Sequence, residues 1–137
     1  MSMIMLVSAD KELGKVIKTA LSSTPVRLSL EFNNAKAASD ALAISPISMV
    51  ILDLFVPGSS GLEVLKALKR VNENCLFLLL SRMRTRTVIE RAFRYGAQDV
   101  LPYPVSNEVL RDTILHRLES QPLADAEDQE SKPTRKK

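Results

Sequence analysis

Met3 to Val7 is an unbroken apolar run with β-branched members, the pattern of a strand buried on both sides. Asp10 follows where a helix N-cap belongs. Leu13, Val16, Ile17, Ala20 and Leu21 then recur at helical spacing and predict one inward-facing stripe. Pro25 closes the turn. Val26, Leu28 and Leu30 alternate with Arg27, Ser29 and Glu31, the period of a half-exposed strand. Asn33 or Asn34 can cap an Ala-rich helix over residues 35–44 that stops before Pro46. Met49 to Leu54 is a second apolar run, broken only by Asp53 and ended by Pro57-Gly58. Ser60 and Glu63 have capping-box spacing at the head of a helix that runs to about Val71. Cys75 to Leu80 is a third buried strand. Thr87 and Glu90 suggest another capping box, Val88, Ile89, Ala92 and Phe93 a stripe, and Gly96 a stop. Asp99 to Leu101 is a short strand. Ser106 can cap a last helix, with Val109, Leu110, Thr113, Ile114 and Leu118 facing inward.

Five strands thus alternate with five helices. Continuously apolar strands need cover on both faces, and right-handed crossovers then give a doubly wound parallel α/β sheet. In such folds ligands bind beyond the carboxyl ends of the strands. That rule selects Ser8, Ala9, Asp10, Asp53, Phe55, Ser81, Arg82 and Tyr103 before any motif is considered.

Composition narrows the class. A chain of 137 residues that is 45% apolar and 26% charged is an ordinary globular domain. One cysteine, Cys75, excludes an internal disulfide and a thiolate zinc cluster, and reads as inert core. No apolar run approaches the roughly 20 residues of a membrane span. No Lys or Arg precedes Lys11, so a signal peptide is not expected, and a soluble cytoplasmic protein is. A net charge of +3 does not by itself imply nucleic-acid binding. From residue 120 the chain turns polar and charged, so the division expected is a domain over 1–119 and a flexible charged tail or linker over 120–137.

Asp53 is the most informative residue, because a lone carboxylate at the end of an apolar strand is costly unless it is paired or opens onto solvent. Taken alone it could simply cap a turn. Its surroundings say more. The segment from Ile51 to Leu65, with Asp53, Pro57-Gly58 and Gly61-Leu62, resembles the central segment of response-regulator receiver domains, where the Asp is the phospho-acceptor. Phe77 to Ser81 resembles the family's fourth strand with its switch hydroxyl. Tyr95 to Pro104 resembles its Gly-Ala segment that ends in Lys-Pro. The resemblance covers about residues 3–119. It implies a flavodoxin-like (βα)5 sheet of strand order 2-1-3-4-5, and a phosphorelay function in two-component signalling with no enzymatic turnover of its own. It also implies a cis peptide at Tyr103-Pro104.

The family chemistry is acyl phosphate formation beside a magnesium ion, held by an acidic pair after the first strand, the acceptor Asp and a backbone carbonyl two residues on. The matching positions here are Ser8 and Ala9 for the acidic pair, Asp53 for the acceptor and the carbonyl of Phe55. Asp10 is the nearest remaining carboxylate, open to either an N-cap or a metal role. Tyr103 stands at the phosphoryl-binding lysine, Val100 at the switch aromatic and Arg82 at the small residue after the switch Ser81. The expectation is therefore an impaired site in which Mg2+ binds weakly or not at all. Arg82 is placed either to swing over Asp53 as a bidentate partner or to point into solvent. Ser81 is expected to have lost its usual switching partners.

The resemblance implies a sensor histidine kinase or phosphotransfer protein as donor. It implies a downstream protein on the face of the fourth helix, fifth strand and fifth helix, where Arg84, Arg86, Arg91 and Arg94 gather with Tyr95 and Met83. A bland solvated helix face explains the same arginines, and a homodimer could use them too. His116 is a surface residue without a second His to make a metal site. Three uses remain in view: a phosphorylated receiver, a pseudo-receiver that docks partners without phosphorylation, and a small flavodoxin-like enzyme. Against the last, the turn after the first strand is Ser8-Ala-Asp-Lys, with no glycine-rich phosphate loop.

Overall fold

A computed structural model describes residues 3–56, 59–83 and 85–120. Five strands, β1 (Met3–Val7), β2 (Arg27–Phe32), β3 (Met49–Asp53), β4 (Leu76–Ser81) and β5 (Asp99–Pro102), form one parallel sheet in the order β2-β1-β3-β4-β5. The helices are α1 (Lys11–Ala20), α2 (Ala35–Ile44), α3 (Gly61–Val71), α4 (Arg86–Arg94) and α5 (Asn107–Ser120). This is the doubly wound parallel sheet that the apolar runs predict, in the flavodoxin-like strand order that the resemblance implies.

Alternation along each strand divides the core in two. Ile4, Leu6, Ile51, Leu78 and Leu80 pack with Leu13 and Ile17 of α1 and Leu110 and Ile114 of α5. Met5, Val7, Val50, Leu52, Phe77 and Leu79 pack with α2, α3 and Ala92 of α4. Each such side chain, fully buried, contributes roughly 1.5–3 kcal/mol. Successive residues serve opposite faces, so β1, β3 and β4 can be apolar throughout. By contrast β2, at the sheet edge, alternates between exposed and partly buried positions, as its sequence predicts.

The caps show where local pattern misleads. Asp10 Oδ1 accepts from Glu12 N at 2.9 Å, Asn34 caps α2 and Ser106 Oγ accepts from Val109 N at 3.1 Å. Ser60 sits at the N-cap of α3 without a side-chain cap bond, so its capping box with Glu63 does not form. At α4 the cap is Thr85, accepting from Val88 N at 3.2 Å, rather than Thr87. Thr87 is the second residue of the helix and already helical, so it cannot stand at the N-cap. Phe93 and Val109, expected inward, are 48% and 47% exposed. Their stripe neighbours Ala92 and Leu110 are fully buried, as expected. Gly96 ends α4 at φ +109°, a conformation glycine adopts without strain. The expected Pro57-Gly58 turn and the charged tail beyond Ser120 lie outside the described residues. No helix among the described residues is long and apolar enough to cross a membrane.

Candidate functional site at the carboxyl edge of the sheet

Parallel pairing brings the ends of β1, β3, β4 and β5 to one rim. Val7 pairs with Leu52, Asp53 with Leu80, and Ser81 with Pro102. Asp53 is the last residue of β3 and is half-buried at that rim. Immediately after it the chain turns: Leu54 N donates to Leu80 O at 3.0 Å, and Phe55–Val56 pairs with Ser59–Ser60 in a short antiparallel ribbon. Gly61 then starts α3 against that turn. A Cβ at Gly61 would lie 2.4 Å from the carbonyl oxygen of Leu54 and 2.5 Å from its Cα. The glycine is a steric requirement of the path that carries the chain past Asp53.

Ser8 is the residue that sequence reasoning undervalued. The strand-end rule selects it, but the resemblance gives it no role beyond a missing acid. In the fold it is buried, and its Oγ donates to Asp53 Oδ2 at 2.9 Å while accepting from Asp10 N at 3.0 Å. The register of β1 against β3 sets Ser8 beside Asp53, and that register is a signal no linear pattern carries. A neutral hydroxyl thus meets the Asp53 carboxylate where a second negative charge would repel it.

Asp10 is doubly used. One oxygen caps α1, and the other lies 3.6 Å from Arg82 Nη2. Arg82 therefore turns to Asp10 in place of the expected bidentate pairing with Asp53, while its side chain stays 59% exposed, in keeping with the solvent-facing alternative. The guanidinium goes to Asp10 and lies over the Tyr103 ring, 4.7 Å from its centroid. The reason is physical: the ring offers a planar guanidinium a stacking face, and the Asp10 carboxylate is within reach of the same arm. Tyr103 N donates to Ser81 O at 3.0 Å, which holds the ring at the rim, and the Tyr103-Pro104 peptide is cis. Burial and the Asp10 carboxylate push the Tyr103 pKa above the ordinary tyrosine value. Arg82 opposes them, and Asp53 and Glu12 add to the rise.

Ser81 is buried and turned into its own loop. Its hydroxyl donates to Met83 O at 2.6 Å and accepts from Met83 N at 3.1 Å. Beside it, a cleft of about 390 Å³ opens between Leu54 and Met83, with Leu62 and Val88 as its walls.

A hard divalent cation seeks several oxygen ligands in near-octahedral array. Among the described residues no three His, Cys, Asp or Glu side chains converge to hold a metal ion. Asp53 is hydrogen-bonded to Ser8, and both oxygens of Asp10 are engaged, one by the helix cap and one by Arg82. This donor set does not fit a resident magnesium ion.

Away from the rim, α4 carries Arg86, Arg91 and Arg94 into solvent, with Arg86 paired to Glu90 at 3.1 Å. Arg84 lies outside the described residues. Tyr95 does not stand out as an apolar anchor: it is partly buried against the core beneath Lys66, whose Nζ is 5.0 Å from the ring centroid. Phe93 and Met83 are the exposed apolar groups of this face. Burial pushes the Cys75 thiol up to about 12, the behaviour of inert core.

Comparison with known proteins agrees with this geometry. The family model of the response regulator receiver domain matches residues 4–115. The transcriptional regulatory protein MalR of Bacillus subtilis is 30% identical over 106 residues, 77% of this chain and 45% of MalR. The response regulator ArlR of Staphylococcus epidermidis is 27% identical over 93% of this chain and 58% of its own length. The chain thus spans less than two thirds of these curated relatives. Among solved structures, the signal receiver domain of a putative Luxo repressor protein from Vibrio parahaemolyticus superposes with a TM-score of 0.84 at 19% identity, covering 94% of this chain and 98% of that one. The BeF3-activated DrrB receiver domain gives 0.76 at 23% identity, covering 87% and 98%. At these identities the structures speak for the fold.

Proposed function

This chain belongs to the response regulator receiver family of two-component signalling, and we propose that it is a receiver whose phospho-acceptor position, Asp53, is kept in a site with impaired phosphoryl chemistry. The observation that carries the reading is the Ser8 hydroxyl, 2.9 Å from the Asp53 carboxylate where the family pattern supplies acid. Asp53 retains the position of a nucleophile: one oxygen would attack the phosphorus of a phosphohistidine or acyl phosphate, forming the Asp–O–P bond as the bond to the leaving imidazole or acetate breaks. What is weakened is the stabilisation of the transferred group. Tyr103, neutral at physiological pH, replaces a lysine and so offers a weaker hydrogen bond than a charged donor. The Ser81 hydroxyl already has partners in Met83 for both of its roles. The donor would be a sensor histidine kinase or phosphotransfer protein, and the receiver unit would occupy residues 1–119, with 120–137 as a charged tail or linker.

A second reading is favoured by that same Ser81 arrangement. In a pseudo-receiver the fold serves as a docking module, and its output face would be α4, β5 and α5, with Arg86, Arg91 and Arg94 at its rim. Incubation with acetyl phosphate and magnesium, followed by intact mass measurement, separates the two. Slow, partial addition of one phosphoryl group that vanishes in Asp53→Asn supports the impaired receiver. No addition supports the docking module. Rapid and complete addition overturns the impairment.

A further inference from the structure

Arg82 is the first residue after β4, and β4 and β1 lie on either side of β3. Strands two places apart in a sheet are separated by about 10 Å. The ion pair from Arg82 Nη2 to Asp10 Oδ2, at 3.6 Å, therefore joins the loops that flank β3, past the end at which Asp53 stands. The same guanidinium lies 4.7 Å from the centroid of Tyr103, on the loop after β5. A single cation thus ties three loops of one rim. The tie is also releasable: the Arg82 side chain is 59% exposed and that of Asp10 29%, so salt and competing ions reach the pair.

We propose that Arg82 is the resident counter-cation of this site: its strap to Asp10 and Tyr103 closes the rim beside Asp53, takes the charge-balancing place of a divalent ion, and admits such an ion only when Asp10 is released. The proposal rests on the receiver reading above and supplies a cause for part of the impairment. A divalent cation approaching Asp53 meets a positive charge on the neighbouring loop, and Asp10, a second carboxylate of this rim, is held by that charge. Ser8 contributes on the other side. By bonding both Asp53 and the backbone of Asp10, it keeps the β1 loop close to the acceptor while adding no negative charge.

The test is a titration of the full chain with Mg2+ and, separately, Mn2+, read as the metal-dependent rise in thermal midpoint, since a ligand of the native state raises its apparent stability. The wild type should respond only weakly at millimolar metal. Arg82→Gln should bind roughly tenfold more tightly, the scale expected for removing one like charge near a dication in a solvent-exposed site. The double variant Arg82→Gln with Asp10→Asn should lose that gain. A folded Arg82→Gln that binds no better than a weakly binding wild type overturns the strap and leaves the impaired-receiver reading standing. A wild type that already binds at micromolar metal overturns both. Tyr103→Leu, which keeps Arg82 and removes its stacking face, provides a second route: a smaller gain supports the strap, and no gain counts against it.

Discussion

The turns after β1 and β3 lie beside the same acidic residue, Asp53, and are held by different physics. The β3 turn keeps the family pattern because its constraint is steric. Gly61 faces the backbone of Leu54 at a distance no side chain tolerates, and backbone cannot be moved aside as the tip of a flexible side chain can. The β1 turn is constrained instead by hydrogen bonding and charge. Ser8 fits beside Asp53 as a neutral donor, and Asp10 turns to the α1 cap and Arg82. Shape and charge are thus separable here: packing fixes the position of Asp53, and polar contacts set the charges around it.

Substitutions should show that separation. The largest effect is expected at Gly61→Ala, which must push the Leu54 turn away. A loss of about 2–3 kcal/mol in urea unfolding is expected, the range of overpacked sites. A neutral result would mean that the turn yields and that the steric half of the comparison is wrong. Ser8→Ala should cost about 1–2 kcal/mol, because a partly buried carboxylate loses a hydrogen-bond donor. Equal stability of Ser8→Ala and wild type would show that the 2.9 Å bond adds nothing net.

Charge exchange at the rim predicts a titration. Tyr103 should ionise above the ordinary tyrosine value near 10, followed by near-ultraviolet absorbance. Arg82→Gln should move that ionisation further up, and Asp10→Asn should move it down, since the cation opposes the rise and the carboxylate adds to it. The linked stability has a definite sign. A folded-state pKa above the unfolded one gives stability that is full below the unfolded value and is lost as pH rises through the folded value. Tyr103→Phe should therefore flatten the decline in stability above about pH 10. If neither rim substitution moves the ionisation, the cluster is not coupled as the distances imply. The smallest effect is expected at Arg86→Ala, whose ion pair with Glu90 joins two exposed side chains four residues apart on a helix. Its loss should change stability by no more than about 0.5 kcal/mol. A larger change would mean that this face does more than meet solvent.

The apolar runs of β1, β3 and β4 and the helical stripes were enough to read five strands, five helices and a sheet covered on both sides, because burial is written directly into residue type. Asp53 was legible for the same reason, as the one charge in an apolar run. Gly61 and Pro104 were visible through motif spacing. Three matters depended on partners far away in the chain. Ser8 acquires its meaning from a hydrogen bond spanning 45 residues, set by parallel register. The partner of Arg82 was settled by which carboxylate and which ring the neighbouring loops bring within reach, and that was Asp10 with Tyr103. Phe93 and Val109 faced outward because the angle at which a helix meets the sheet selects among its apolar residues. Local composition dictates what must be buried; only three-dimensional proximity dictates which charge answers which.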